Sequence, residues 1–407
     1  MHHPGYRMFF ITFVLAMMAD NIEHVISYWM MFQKFHSPAL GGFAVVSHWL
    51  PFLLFSVPVG ALNDRFDSRR IIQGGMLLFI IASLGWAYFF YTDSLQMWQA
   101  MVLLVIHGCA GVLWQPSSQI LLHDIVRTDQ LQSAVRLTAT ARYLGVLVGP
   151  AVGGVLLLRL GPPHGMMLNT IFYLPALLWL WKAPYGVRFR AAVMTGSQRA
   201  VRGLADIAQT MRDISGFPVV VSMTALAGAA SFFIGGSYQA QMPNFAQDLG
   251  HGDPGVAYGS LLAADAAGAL IAGVLLESAR LLRPTPRTAF VLCIVWCLSL
   301  TGFALVGNYI AALVLLFCAG FFELAFSSMA QALVQLGAPT SIRGRVIGLF
   351  SMAALGLRTF SGIFIGVIGG AVGVHASLSG AALLMLATVV WLLMRHRKGL
   401  SSQTATP

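Results

Sequence analysis

Apolar residues along this chain occur in long runs separated by short polar segments. A helix needs about 20 mostly apolar residues to cross the hydrocarbon core of a bilayer. The first six runs of about that length lie near residues 7–33, 40–62, 71–91, 96–122, 137–159 and 164–182. The second six lie near residues 217–241, 255–277, 287–306, 309–336, 346–371 and 374–395. The pattern predicts an all-α membrane protein with twelve transmembrane helices, spans 1 to 12.

The longest polar stretch divides the twelve spans into two sets of six. It covers residues 183–216, is rich in arginine, and predicts a linker with a short amphipathic helix around Gln198–Met211. Two sets of spans joined by one linker are typical of an internal repeat. We therefore expect two pseudo-symmetric six-helix bundles, at residues 1–182 and 217–395, and a polar tail at 396–407.

The composition excludes a protein whose whole surface faces water. Only 9% of the 407 residues are charged and 57% are hydrophobic, whereas soluble domains carry about 25% charged residues. The net charge of +10 could indicate a nucleic-acid partner. However, nearly all Lys and Arg fall in alternate loops, and an excess of these residues marks the cytoplasmic side of a membrane protein. We therefore expect cytoplasmic termini and no nucleic-acid partner.

The short loop between spans 2 and 3 is densely charged. It reads Gly60-Ala61-Leu62-Asn63-Asp64-Arg65-Phe66-Asp67-Ser68-Arg69-Arg70. A glycine followed four residues later by an acid, then by an arginine and an Arg-Arg pair, resembles the loop 2–3 signature of the major facilitator superfamily of transporters. The resemblance implies that Gly60 permits close helix contact. It also implies a charge network that closes the cytoplasmic side of the carrier, formed by Asp64, Arg65, Arg69 and Arg70.

One position of this loop departs from the superfamily pattern. Asp67 replaces the commonest residue there, a glycine. The replacement is similar to the loop of drug and siderophore exporters related to the enterobactin exporter.

Span 5 carries a second motif, made of small residues and a proline. The motif residues are Gly145, Gly149, Pro150, Gly153 and Gly154. Small residues four apart let membrane helices approach closely, and a proline inside a helix removes a hydrogen bond and bends it. The pattern resembles the span 5 motif of proton-coupled antiporters in the superfamily. There it is thought to seal the extracellular side or to resist proton leak; the alternative is a plain packing motif.

Ionisable residues inside spans are costly, so each is a candidate functional residue. In span 1, Asp20, Glu23 and His24 are spaced so that all three lie on one helix face. Asp20 lies roughly 20 Å along the span at 1.5 Å per residue. In the superfamily fold, spans 1, 4, 7 and 10 line the central cavity. We expect Asp20 to be the proton or cation site, with Glu23 next. Alternatively, one of these acids is a structural partner of an arginine.

Spans 4 and 10 hold further candidates near the middle of the bilayer. Glu323 in span 10 is the second choice for proton coupling. His107 in span 4 is more typical of a hydrogen-bonded packing residue, and Gln115 lies two turns away. In span 7, Tyr238 belongs to an aromatic and amide-bearing face that suits an amphipathic or aromatic ligand.

Two arginines inside spans need a counter-charge or an anionic ligand. Arg358 in span 11 could pair with Asp265 in span 8 or with Glu323, which would lower the cost of burying both charges. Arg142 in span 5 could pair with Asp20 or bind an anionic substrate.

Several kinds of chemistry are not expected. The sequence contains no Walker A loop, Gly-x-Ser-x-Gly elbow or His-Glu-x-x-His motif, and no metal ligands cluster along it. Four cysteines lie inside apolar runs and are expected to be free thiols: Cys109, Cys293, Cys297 and Cys318. We expect no enzyme activity, no cofactor and no metal.

The resemblance covers nearly the whole chain and implies secondary active transport by alternating access. The expected partners are a small organic substrate, a drug or a siderophore, which leaves in exchange for protons, and the lipid bilayer. A monomer in the cytoplasmic membrane of a bacterium is expected. Three alternatives remain open: a facilitator or importer of a metabolite, a lysophospholipid transporter, and a membrane sensor or scaffold.

Overall fold

The computed structural model describes residues 4–35, 38–186, 205–235, 238, 242–250, 256–278, 284–362 and 368–403. Within these ranges the chain forms helices joined by short turns, and no β-strand occurs. The all-α prediction is confirmed. Part of the predicted linker helix around Gln198–Met211 lies outside the described residues, and its described part belongs to a helix that begins at Ala205.

In the described residues up to 186, the chain forms six α-helices. They are α1 (Pro4–Phe35), α2 (Pro38–Arg65), α3 (Ser68–Tyr91), α4 (Met97–Ile125), α5 (Leu131–Asn169) and α6 (Leu174–Lys182). Gly161 interrupts α5 with a φ of 74°, and Pro162 and Pro163 follow it. Glycine enters this left-handed region without a Cβ penalty. The part of α5 before Gly161 therefore corresponds to span 5, and the part after it, together with α6, to span 6.

The second half begins with the short linker helix and ends with a long helix. Its helices are α7 (Ala205–Asp213), α8 (Pro218–Phe233), α9 (Met242–Asp248), α10 (Val256–Ser278), α11 (Pro286–Leu305), α12 (Tyr309–Gly337), α13 (Arg343–Ser351), α14 (Arg358–Gly362), α15 (Ile368–Val372) and α16 (Val374–Gln403). A π-helical turn, Met352–Gly356, joins α13 to α14. Turns of this kind are frequent at functional sites.

The helices are long and apolar enough for a membrane protein. Within the described residues, eight helical segments could each cross a bilayer by length and composition, and two shorter apolar helices lie at Pro218–Phe233 and Ser260–Leu276. One of the eight, Thr128–Lys182, is 55 residues long and contains the break at Gly161. The chain is an integral membrane protein, and the total of twelve spans stays a prediction.

The chain forms two compact units. Unit 1 comprises Met1–Ala134, Ala141–Ile207 and Pro339–Ser351. Unit 2 comprises Val135–Thr140, Ala208–Ala338 and Met352–Pro407. Val135–Thr140, in the first turns of α5, belongs to unit 2, and Pro339–Ser351, which contains α13, belongs to unit 1. The predicted division into two six-helix bundles stays a prediction.

Glycines bring corresponding pairs of helices close together in each unit. In unit 1, a Cβ on Gly108 of α4 would collide with the backbone oxygen of Ser47 on α2. In unit 2, a Cβ on Gly268 of α10 would collide with the backbone oxygen of Phe317 on α12. Small residues permit such close approach between membrane helices. Both pairs also carry buried ionisable side chains.

Candidate functional sites

Unit 1 contains a histidine that bridges two buried carboxylates. Asp20 and Glu23 of α1 are 5% and 1% exposed, and His107 of α4 is 3% exposed. The Nε2 atom of His107 lies 2.8 Å from Oδ1 of Asp20, and its Nδ1 atom lies 2.9 Å from Oε1 of Glu23. The spacing of Asp20 and Glu23 along α1 places both acids on the side that faces α4. His107 thus makes the hydrogen bond expected of a packing histidine and in addition connects the two acids.

Glu23 is held in place by a chain of buried polar groups. The hydroxyl of Ser83 on α3 donates to Oε2 of Glu23, and Nδ2 of Asn169 on α5 donates to the Ser83 hydroxyl at 3.3 Å. Ser83 and Asn169 are both fully buried. Since Nδ1 of His107 contacts the other carboxylate oxygen, both oxygens of Glu23 have partners.

Two further histidines complete this region. His24 of α1 packs against His107 and His48, with ring centroids 4.7 and 4.9 Å apart, and the rings of His48 and His107 are 5.6 Å apart. Side-chain nitrogen or oxygen atoms of Asp20, His24, His48 and His107 all lie within 4.8 Å of one another. We call these four residues the histidine cluster. These four residues do not cluster along the sequence, so no sequence motif predicted a group of potential metal ligands here.

The sequence analysis missed His48. His48 lies on α2, between His24 and His107 in the sequence, and no local motif marks it. A partial signal was present in span 1, because Asp20 and His24 are four residues apart, a spacing that places two potential ligands on one helix face.

Arg142 and Gln115 lie in the same unit. Arg142 of α5 is half-buried and acts electrostatically on His48. Its predicted role as a partner of Asp20 or as an anion site stays a prediction. Gln115 of α4 is half-buried, and its role also stays a prediction.

Unit 2 has a different buried polar centre, which we call the tyrosine triad. Tyr238 is fully buried, and its hydroxyl faces both oxygens of Asp265 at 3.2 and 3.1 Å and Oε2 of Glu323 at 3.4 Å. Asp265 is 3% exposed and Glu323 is half-buried. One hydroxyl proton cannot be donated to both acids at once, so the two carboxylates share one donor. The predicted pairing of Arg358 with one of these acids stays a prediction.

Backbone packing holds the two acids of the tyrosine triad near each other. Gly320 precedes Glu323 by one turn on α12, and a Cβ at Gly320 would collide with the backbone oxygen of Asp265. The close approach of α10 and α12 therefore depends on the absence of a side chain at this position.

Asp64 in the loop motif caps another helix. Its Oδ1 accepts a hydrogen bond from the backbone N–H of Gly344 at 2.7 Å, and its Oδ2 accepts from the N–H of Arg345 at 3.2 Å. The Arg345 guanidinium lies 3.8 Å from the same carboxylate. These N–H groups belong to the first turn of α13, where a carboxylate satisfies free donors and complements the helix dipole.

Glycines allow α2 and α13 to meet at this point. A Cβ on Gly60 would collide with the backbone oxygen of Gly344, and a Cβ on Gly344 would collide with that of Gly60 and with Asp64. Gly348, one turn later, approaches the backbone oxygen of Ser56 in the same way. This is the close helix contact that the sequence led us to expect at Gly60.

The arginines of the motif make contacts elsewhere. Arg69 pairs with Asp67 through Nη2 at 2.6 Å and donates from Nη1 to the backbone oxygen of Ala183 at 2.6 Å. Arg70 donates to Gln73 at 2.9 Å and lies over the ring of Trp181. Arg65 lies over the ring of Phe66. In these contacts Asp64 binds the first turn of α13. Asp67 binds Arg69, while Arg69 and Arg70 reach the end of α6.

The glycines of span 5 pack against α1. A Cβ on Gly145 would collide with Met17, one on Gly149 would lie 2.5 Å from Cβ of Asn21, and one on Gly153 would lie 3.2 Å from Cα of Ile22. Gly154 faces open space, and Pro150 is exposed. Three of the motif glycines therefore fix α5 against the part of α1 that carries Asp20 and Glu23.

Comparison with known proteins identifies the family. Residues 1–406 match the family described as transmembrane secretion effector. The putative multidrug resistance protein MdtD of Cronobacter sakazakii is 28% identical over 120 residues, which are 30% of this chain and 24% of that protein. The staphyloferrin A transporter of Staphylococcus aureus is 21% identical over 173 residues, 42% of this chain and 44% of that protein.

The chain thus spans less than half the length of these two relatives. Among solved structures, the Escherichia coli fucose:proton symporter FucP superposes with a TM-score of 0.74 at 11% identity, covering 96% of this chain and 98% of FucP. This likeness concerns the fold alone. Together with the family match it confirms the resemblance inferred from the motifs, and the chain belongs to the transmembrane secretion effector family of the major facilitator superfamily.

Proposed function

We propose that this protein exports a small organic molecule, a drug or a siderophore, in exchange for protons. The observation that carries the proposal is that each unit places two buried or half-buried carboxylates around one side chain that bears a hydrogen-bond donor. In unit 1, His107 lies between Asp20 and Glu23. In unit 2, Tyr238 lies between Asp265 and Glu323. Carboxylates inside membrane spans are retained where they carry protons or substrates.

Both centres suit the transfer of protons. Two carboxylates close together favour the binding of a proton, because like charges destabilise each other in a buried site. A histidine or tyrosine between them offers a hydrogen-bonded route along which that proton is passed. Asp20 is the first candidate for the coupling residue, and Glu23, Glu323 and Asp265 are the others.

The contact between α2 and α13 is proposed as the latch of the cytoplasmic gate. In alternating access, a contact that closes one side must break and form again in each cycle. Asp64 is held by two backbone N–H groups and by a partly buried Arg345. It makes no covalent bond, so motion of α13 can release it. This role requires that the loop between α2 and α3 lies on the cytoplasmic side of a bacterial cytoplasmic membrane, together with both termini. The gate involves residues of one chain alone, so we propose a monomer.

The names of the relatives guide the choice of substrate. One is a putative multidrug resistance protein and another is a transporter of staphyloferrin A. We therefore propose lipophilic drugs and siderophores as the substrates to test first.

Counterflow in proteoliposomes tests the proposal. Wild type, Asp20→Asn and Glu323→Gln are reconstituted, and the movement of fluorescent cationic dyes and of one catecholate siderophore is followed with and without an imposed proton gradient. We expect the wild type to move substrate against its gradient only when protons flow inward. At least one acid variant should lose this accumulation but keep substrate exchange. Equal movement by the wild type with and without the gradient would make it a facilitator.

A further inference from the structure

We propose that the histidine cluster, Asp20, His24, His48 and His107, binds a divalent transition-metal ion. The cluster lies wholly within unit 1 and unites side chains from α1, α2 and α4. The inference goes beyond the proposed export of an organic molecule and does not depend on it, because metal binding is measured on the purified protein without transport.

The distances fit one ion. Ligand atoms of the four residues all lie within 4.8 Å of one another. A regular tetrahedron with that edge has its centre about 2.9 Å from each corner, whereas zinc bonds to nitrogen and oxygen are about 2.0–2.2 Å long. The most widely spaced ligand atoms therefore need to move inward by less than about 1 Å. Nε2 of His107 and Oδ1 of Asp20, which are 2.8 Å apart, need to separate slightly, because two ligands of a tetrahedral zinc ion are about 3.4 Å apart.

The orientation of the rings supports a shared ligand more than a hydrogen-bonded network. Nε2 of His107 lies 2.8 Å from Asp20, yet it makes no well-directed hydrogen bond within the described part of the chain. Nδ1 of His48 is likewise buried without a hydrogen-bond partner among the described residues. Buried polar atoms without partners are rare, and each needs an explanation. An ion between the rings would occupy both lone pairs.

Glu23 orients His107 for this role. Histidines that bind a metal almost always donate their other ring N–H to a carboxylate, a carbonyl or water, which fixes the tautomer. Nδ1 of His107 lies 2.9 Å from Oε1 of Glu23, so donation there leaves the lone pair of Nε2 facing Asp20, His24 and His48. Ser83 and Asn169 hold Glu23 in turn. Glu23 is therefore a positioning residue of the proposed site.

The donor set selects the kind of metal. Three imidazoles and one carboxylate suit Zn²⁺, Co²⁺, Ni²⁺ and Fe²⁺, whereas Mg²⁺ and Ca²⁺ prefer oxygen ligands. The charges also suit a dication, because the carboxylates of Asp20 and Glu23 outnumber the nearby guanidinium of Arg142, which acts on His48.

Zinc titration of the purified full-length protein tests the proposal. The protein is stripped with a chelator in detergent and titrated with Zn²⁺ by calorimetry, and with Co²⁺ by visible absorption. We expect one ion per chain and, with Co²⁺, the intense band of a four- or five-coordinate site. His48→Gln and His24→Gln should each weaken zinc binding at least tenfold. His164→Gln, which changes an exposed histidine of α5, should bind as the wild type does.

Two controls keep the result interpretable. Size-exclusion chromatography and thermal unfolding show whether each variant remains folded, and two separate histidine variants guard against the failure of one. Wild-type protein that binds none of the ions, or both folded histidine variants binding zinc as tightly as the wild type, would overturn the site and leave a cluster of packed histidines. Because no gradient or substrate is present, this outcome is independent of whether export is proton-driven.

Discussion

The two units of this protein each bring buried and half-buried polar side chains together, but with different chemistry. In unit 1 they lie on spans 1, 2 and 4 and include three histidines, Asp20 and Glu23. In unit 2 they lie on spans 7, 8 and 10 and are Tyr238, Asp265 and Glu323. The side chains decide what each centre can bind. Both centres hold two carboxylates that suit a proton, and the nitrogen ligands of unit 1 additionally suit a transition metal.

The helices that carry these residues also differ. Span 1 is a continuous helix, α1, of 32 residues. In span 7, α8 ends at Phe233, and Gly235 follows with a φ of 52°. Ser361 lies so close that a Cβ at Gly235 would collide with it. Within the described residues, span 7 therefore has a break after α8, whereas α1 runs without one.

The largest effect we expect is on transport, from a change in unit 2. Glu323→Gln keeps an acceptor for the Tyr238 hydroxyl but cannot take up a proton, so gradient-driven accumulation of substrate should fall at least tenfold. Zinc binding should stay within twofold of the wild type, because Glu323 belongs to the other unit. Dye counterflow and zinc calorimetry on the same preparation measure both. A parallel loss of zinc binding would contradict the separate roles of the two centres.

The second effect we expect is on zinc binding in unit 1, from a residue that orients the ligand His107 but does not itself bind the metal. Glu23→Gln removes the carboxylate that fixes the tautomer of His107, and changes of this kind lower metal affinity by about 10–100-fold. Asp265→Asn is the matched control, because it neutralises an equally buried acid in unit 2 and should leave zinc affinity unchanged. Similar zinc affinities for Glu23→Gln and the wild type would show that Glu23 does not position His107.

The third effect tests how unit 1 is held together. Gly149→Ala places a Cβ 2.5 Å from that of Asn21, and such overpacking costs about 1–3 kcal/mol. Gly154→Ala, five residues later, meets open space and should be neutral or stabilising by up to about 1 kcal/mol. Thermal unfolding in detergent compares the two. Equal transition temperatures would mean that the contact of α5 with α1 carries little stability.

Sequence patterns predicted the all-α class well because a long apolar run depends on residues that are neighbours in the chain. The loop glycine Gly60 and the glycines of span 5 were predictable for the same reason, since close approach requires a missing side chain wherever the helices meet. Partners distant in sequence were not predictable. His48 meets His107 only because α2 and α4 pack with these two residues facing each other. The hydroxyl of Tyr238 reaches both Asp265 and Glu323 because Gly320 lets α10 and α12 meet.

The loop motif shows the same limit. Its residues resemble a single charge network when read along the chain. In the structure Asp64 binds the start of α13, 280 positions later. Asp67 and Arg69 bind each other, and Arg69 also binds the backbone oxygen of Ala183. The network of Asp64 with the loop arginines stays a prediction. The partners of the loop residues depend on where α13 begins and where α6 ends. The sequence of the loop contains no information about these two positions.

The fourth effect concerns Asp64 and should be smaller. Asp64→Asn keeps one acceptor oxygen for the first turn of α13 but removes the charge that Arg345 and the helix dipole favour, so the loss should be about 1 kcal/mol. Asp129→Asn, at an exposed ion pair with Arg127, is the control. Thermal unfolding measures stability, and the substrate exchange rate reports on the gate. We expect faster exchange in Asp64→Asn if the contact is a latch, whereas slower exchange would contradict that role.

The smallest effect should come from an acid outside the spans. Asp93 follows α3 and lies 2.6 Å from Nζ of Lys34, which lowers the pKa of Asp93 by hydrogen bonding and by charge. A carboxylate with a lowered pKa stabilises the fold above its ordinary pKa, and this contribution is lost as the pH falls through the lowered value. Because Asp93 is fully exposed, solvent screens the pair. Asp93→Asn should therefore leave the transition temperature unchanged at pH 7, and wild type and variant should also coincide at pH 3. A clear difference at pH 7 that shrinks as the pH falls below the ordinary pKa of an aspartate and toward the lowered value would show that this exposed pair stabilises the fold.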